Sequence, residues 1–150
     1  MDIEVRLATA RDRQALDRFY SREGLNFQAL SIRSPHFSTG SSKETMFIIA
    51  VSDEAIIAAL KLDVVVDESI GKIGYIQHFE VEDEYEKSDL GEKMMNHLFD
   101  IGKKKGLRAL DVFVSEDRSE MRSLYNILNF LELGKTIHLR KHFKERPFYR

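Results

Sequence analysis

The 150 residues carry 23 basic and 25 acidic side chains for a net charge of −2, with 43% hydrophobic residues and no cysteine. This excludes disulfides, a thiolate metal site and a cysteine nucleophile, and gives no overall attraction to nucleic acid. No run approaches the roughly 18 apolar residues of a membrane span, and the N-terminal MDIEVRLATA lacks the apolar core of a signal peptide, so one cytoplasmic domain, 1–150, is expected.

Ile3 to Leu7 alternates apolar and polar residues and predicts a first strand. Thr9 is placed to cap a helix, with Asp12 three residues on, and Leu16, Phe19 and Tyr20 supply one helical face. From Gly24 to Lys43 the pattern fades into serines, Pro35 and Gly40, which predicts a long loop with room for one helical turn. A loop of that length in a small domain is often functional, and a dimer contact or a substrate lid is expected of it. Thr45 to Val51 and Ile56 to Val66 read as strands joined by a Ser-Asp-Glu-Ala hairpin. Asp67 to Gly71 then turns the chain into a strand from Tyr75 to Val81, giving three antiparallel strands in succession.

A polar turn, Glu82 to Ser88, precedes Leu90, Met94, Leu98 and Ile101, whose spacing draws one apolar stripe along a helix. Ser88 or Asp89 caps its start, Gly106 sits at the left-handed C-cap position, and Lys103 to Lys105 complement the dipole at its end. Strand, tight loop and helix N-terminus together present free backbone N–H groups to an anion, so a phosphate-bearing ligand is expected here. Leu107 to Val114 is a fifth strand, made parallel to Tyr75–Val81 by the helical crossover. Met121, Leu124, Tyr125 and Leu128 mark another helix, capped by Ser115, Asp117 or Ser119. Phe130 to Leu133 and Thr136 to Phe143 read as a closing hairpin around Gly134-Lys135, and the basic tail from Lys144 is expected to be loosely held. His138, Arg140 and His142 alternate on one strand face; without an acidic partner at ligand spacing they read as a polar face and not as a metal site.

The order β, α, long loop, three strands, α, β, α and a hairpin resembles the GNAT family of acyl-CoA-dependent N-acyltransferases over about Ile3 to Phe143. Val81 matches the strand end of the family's cofactor motif, Glu84-Tyr85 resembles the pair that precedes its Arg, and Gly91 matches its final Gly. Leu124-Tyr125 and Phe130 match the later motif. The departures are Glu86 at the Arg or Gln position, Asp89 at the middle Gly, Arg118 at the Asn, Met121 at the Ala and Asn129 at the Gly.

The resemblance implies an α/β (α+β) fold, a mixed and largely antiparallel sheet of about seven strands with helices on both faces. It implies acetyl-CoA or another acyl-CoA as cofactor, held by Phe79, Val81, Glu86, Lys87, Ser88, Asp89, Leu90, Gly91, Glu92 and Arg118. It also implies an amine acceptor on a small molecule or a protein, with a homodimer as a further partner. A carboxylate in the loop opposes a pyrophosphate by up to about 4 kcal/mol per close pair near a surface, less where water screens it. The helix dipole returns only about 0.3–1 kcal/mol. A GNAT-shaped regulatory or binding domain with impaired catalysis is therefore the alternative reading.

Amine acylation by a thioester needs a base for the ammonium proton and an acid for the leaving thiolate. By resemblance Tyr125 is the acid; on helical spacing alone it would pack beside Leu124. Glu80 or His78 is the base. In strict alternation Tyr75, Gln77 and Phe79 share one strand face and Ile76, His78 and Glu80 the other, unless a bulge shifts the register.

Overall fold

The computed structural model describes residues 2–30, 44–114, 118–133 and 138–143. Strand β1 (Ile3–Leu7) leads through a 3-10 turn (Ala10–Asp12) into α1 (Arg13–Arg22), followed by the single turn α2 (Phe27–Leu30). Thr9 closes a capping box with Asp12, as the spacing predicts, but at the head of the 3-10 turn that feeds α1. Strands β2 (Glu44–Ser52), β3 (Ala55–Asp67) and β4 (Gly71–Val81) follow, each longer than its apolar run, then α3 (Leu90–Lys105) and β5 (Ala109–Phe113). The chain ends with α4 (Ser119–Ile127), β6 (Leu131–Glu132) and β7 (His138–His142).

The seven strands form one sheet in the order β1-β2-β3-β4-β5-β7-β6. Only β4 and β5 pair in parallel, joined by α3; every other pairing is antiparallel. Asp53 and Glu54, both at positive φ, make the two-residue turn between β2 and β3, a twist that suits the flanking strands. Gly106, at φ +77, ends α3 in the left-handed conformation that a side chain disfavours.

One sheet face carries Ile48, Leu60, Leu62, Ile76, Leu110 and Val112 against Met94, Met95 and Leu98 of α3. Such fully buried side chains contribute about 1.5–3 kcal/mol each. The opposite face packs Phe47, Ile49, Ile56 and Ala59 against Leu16, Phe19, Tyr20 and Phe27. β3 is thus covered on both sides, which explains its almost unbroken apolar run. Two charges interrupt that run: Lys61 and Asp63 are buried, 3.5 Å apart at Nζ and Oδ2, and Thr45 Oγ1 donates to Asp63 Oδ1 at 2.6 Å.

Two sequence expectations need correction, and the register of β4 takes the bulged alternative. Ser119 is the first residue of α4 and not its cap; Arg118 holds the cap position without a side-chain cap bond, while Ser115 and Asp117 lie outside the described residues. Leu128 falls just past the end of α4. The alternation along β4 breaks at a bulge: Lys61 faces Gln77 and Ala59 faces Glu80, so Leu60 is opposed by both His78 and Phe79. Phe79 and Val81 therefore join Ile76 on the α3 face, and Phe79 does not share a face with Gln77. The Gly24–Lys43 loop holds α2; its residues 31–43, the Gly134-Lys135 turn and the tail from Lys144 lie outside the described residues.

Candidate active site

The parallel pairing of β4 and β5 stops at Ile76 opposite Val112, although β4 runs on to Val81. Beyond that point the two strands part. The split opens a chamber of about 280 Å³ lined by Gln77 to Glu80, Val112 to Val114, Arg118, Met121 and Tyr125. The bulge sits on its wall, with His78 at φ +52. A residue with a side chain adopts that conformation at a cost, so something must hold it there. The Tyr20 hydroxyl does so, donating to the His78 carbonyl at 2.8 Å.

Tyr125 reaches the chamber from α4, fully buried and edge-on to Phe130 at 5.0 Å between ring centroids. Burial pushes its hydroxyl far above the ordinary tyrosine range and nearby Arg118 pulls back only slightly, so the phenol keeps its proton. Glu80 enters from β4. Burial raises the proton affinity of its carboxyl, and Arg118, whose Nη1 lies 3.4 Å from Glu80 Oε2, lowers it. Half-buried His78 moves the other way: burial and then the charge of Lys61 keep the imidazole neutral, with a lone pair available. The chamber wall thus carries a phenol from Tyr125 and a carboxylate from Glu80, with His78 beside them and under the influence of Lys61 and Asp63.

A larger cleft of about 740 Å³ adjoins it between the α3 and α4 N-termini, lined by Val81, Glu86, Ser88, Asp89, Gly91, Glu92, Arg118, Ser119, Glu120, Met121, Ser123, Leu124 and Ile127. Ser88 Oγ accepts from the Leu90 amide at 3.2 Å, so Ser88 supplies the capping bond and Asp89, at the cap position, supplies none. The following first-turn amides, Gly91 and Glu92, have no intrahelical carbonyl to bond. Asp89 is exposed and pairs with Lys93 at 3.8 Å, which screens part of its charge. Of the ten residues expected to hold a cofactor, seven line this cleft and Phe79 lines the chamber. Lys87 lines neither and is exposed, and the Leu90 side chain is buried in the core beneath.

Sequence reasoning missed two features. Tyr20 reads only as one stripe residue of α1, and no local signal reveals a hydroxyl spent on a bulge 58 residues away. The polar sheet face was partly visible, because Lys61 and Asp63 stand two apart inside an apolar run. On that face Arg140 holds buried Asp111 through two hydrogen bonds, one of 2.6 Å from Nη2 to Oδ2. Among the described residues Gln77 Oε1 is buried there without a hydrogen-bond partner, and Asp63 Oδ2 has the 3.5 Å ion-pair contact with Lys61 in place of a hydrogen bond.

A mixed sheet that splits between its parallel strands, beside an open helix N-terminus, is the frame of an acetyltransferase fold. The family model described as the acetyltransferase (GNAT) family matches residues 13–130, and the chain belongs to this family. It is similar to an acetyltransferase of the GNAT family from Streptococcus pneumoniae, at 17% identity and TM-score 0.75 over 95% of this chain and 100% of that one. It is similar to the PaiA N-acetyltransferase of Thermoplasma acidophilum solved with coenzyme A, at 18% identity and TM-score 0.71 over 95% and 100% of the two chains. A third similar structure is Arabidopsis thaliana Naa50 with the bisubstrate analogue CoA-Ac-MVNAL, at 12% identity and TM-score 0.72, again over 95% and 100%. No curated protein matches the sequence. Among the described residues no helix is long and apolar enough to cross a membrane, and no group of three metal-ligating side chains occurs.

Proposed function

We propose that the chain transfers an acetyl group from acetyl-CoA, or another acyl group from its CoA thioester, to the amine of a small molecule or a protein. The observation that carries this reading is the meeting of chamber and cleft at Arg118: Tyr125 and Glu80 line one, the α3 N-terminus lines the other, and Arg118 lines both. A diphosphate fits the cleft's volume and the amides of Gly91 and Glu92, while the Ser88 hydroxyl shapes the loop by donating to the Tyr85 carbonyl at 2.6 Å. Seven of the expected residues, Val81, Glu86, Ser88, Asp89, Gly91, Glu92 and Arg118, would hold it there. The solved relatives with coenzyme A and with a CoA–peptide analogue bound support the same choice of cofactor.

When bound, the cofactor supplies an activated acyl group as a thioester. The chain's own residues supply position and protons. Tyr125 holds a proton for the departing thiolate, and Glu80, with neutral His78 beside it, accepts the proton that the acceptor's ammonium must lose. The peptide after His78 is trans, so its N–H points away from the carbonyl that Tyr20 holds. That N–H belongs to Phe79, a chamber residue, and in this proposal it is the donor that would polarise the thioester carbonyl. The roles of these residues, a cytoplasmic location, a single domain over 1–150 and a homodimer are part of the same proposal.

Titration calorimetry with acetyl-CoA tests it. Saturable heat at micromolar to low-millimolar ligand supports the reading, and none at millimolar ligand overturns it. One observation favours the second reading, a binding domain without turnover: Glu86, Asp89, Glu92 and Glu120 all line the cleft. Acylation of any amine in a panel of peptides and polyamines, followed by mass spectrometry, removes that alternative.

A further inference from the structure

Arg118 is the residue before α4 and faces both cavities. Among the described residues lining the cleft it is the one cation, set against Glu86, Asp89, Glu92 and Glu120. Its partner, however, lies on the chamber side: Nη1 is 3.4 Å from Glu80 Oε2. That is a single long contact, whereas a guanidinium offers five donors arranged to grip an oxyanion through two parallel bonds. The Glu80 side chain is 20% exposed and that of Arg118 39%, so the carboxylate has less water to replace its partner than the guanidinium has.

A diphosphate brings at least twice the charge of one carboxylate, and Coulomb attraction grows in proportion. It also offers the paired oxygens that suit a guanidinium. Among the described residues lining the cleft the other ionisable groups are acids, and Lys93, outside the lining, is already paired with Asp89, so Arg118 is the lining cation that an anion there meets.

We propose that Arg118 is a two-position cation that couples cofactor binding to the basicity of Glu80. With no anion in the cleft it neutralises Glu80; with the diphosphate of an acyl-CoA in the cleft it turns to the phosphate and leaves Glu80 unpaired. This rests on the acyl-CoA reading above. A half-buried carboxylate that loses its cation gains proton affinity. Glu80 is therefore a stronger base when the cofactor is in place, and it competes with the cofactor for one guanidinium. The coupling belongs to this chain's own departure from the family pattern, since Arg118 stands where the later motif has Asn.

The test is calorimetry with CoA on the wild type, Glu80→Gln, Arg118→Gln and the double variant, with Glu80→Ala run beside Glu80→Gln so that misfolding of one decides nothing. Removing the competitor should tighten CoA binding by about two- to fivefold, the range of a partly exposed ion pair. Arg118→Gln should weaken it by about tenfold or more, the loss of a charged hydrogen bond. The tightening should vanish in the Arg118→Gln background, which is the signature of coupling between two residues. Unchanged or weaker CoA binding by both Glu80 variants, or tightening that survives without Arg118, overturns the coupling alone. A wild type that binds no CoA at millimolar concentration overturns the acyl-CoA reading and the coupling with it.

Discussion

Tyr20 and His78, 58 residues apart, are joined by a 2.8 Å hydrogen bond from the tyrosine hydroxyl to the histidine's main-chain carbonyl. The ring that carries this hydroxyl is fully buried, stacked on Phe27 and edge-on to Phe19. Burial holds the phenol well above its ordinary pKa, with the charge of Glu80 adding to the effect, so it stays a donor. The contact ties α1 to the bulge and satisfies a carbonyl that the extra residue removes from the β3–β4 ladder.

Tyr20→Phe keeps the ring and deletes the donor. Leaving a buried carbonyl unpaired should cost about 1–3 kcal/mol in urea unfolding. If the proposed acyl-CoA chemistry holds, release of thiol from acetyl-CoA should fall about tenfold or more, as for loss of an aligned donor, while CoA affinity stays within about twofold. Thiol release at the wild-type rate would show that the bulge keeps its geometry without Tyr20.

Tyr125→Phe should separate chemistry from binding. The ring remains to pack against Phe130, so the melting temperature should change little. Loss of a positioned acid should slow thiol release by about 100-fold or more. Calorimetry with CoA should match the wild type; equal loss of CoA affinity and turnover would mean that Tyr125 only shapes the cavity.

Gly74→Ala probes the seat of α3 and β5 on the sheet. A Cβ there would lie 2.9 Å from Leu62 Cδ1, 2.9 Å from Leu110 Cδ2 and 3.0 Å from Leu107 Cδ1. Three side chains that must all yield at once predict a loss of about 1–3 kcal/mol. Chemical denaturation measures it, and a neutral substitution would mean that this part of the core is loosely packed.

Asp12 predicts a pH dependence. The Arg6 guanidinium, bonded to it through both terminal nitrogens, holds its carboxyl down to about 2, against the opposing effect of burial and with help from Thr9. A lowered carboxylate stabilises the fold above its unfolded value of 3.8 and loses that contribution as pH falls through about 2. Its size should be about 1–2 kcal/mol after allowance for solvent around Arg6. Asp12→Asn should therefore lower stability at neutral pH and flatten the acid limb of a stability–pH curve between about pH 4 and 2. An unchanged acid limb would mean that the pair contributes nothing.

Local patterns determined much of this protein. Alternation marked β1, short apolar runs between turn residues marked the inner strands, spacings of three and four marked α1, α3 and α4, Ser88 and Gly106 marked the ends of α3, and Gly91 and Leu124-Tyr125 carried the resemblance to the family. These signals are short-range, because side-chain periodicity and capping depend on neighbours within about one or two turns. The tertiary structure decided what the site is made of. It put His78 and Phe79 opposite the single residue Leu60, turning Phe79 into the core and Glu80 toward Arg118. It aimed the Tyr20 hydroxyl at the bulge and seated Leu90 in the core rather than in the cleft. Register, bulges and ion pairs between distant strands arise from which faces can be buried together, and no window of adjacent residues contains that information.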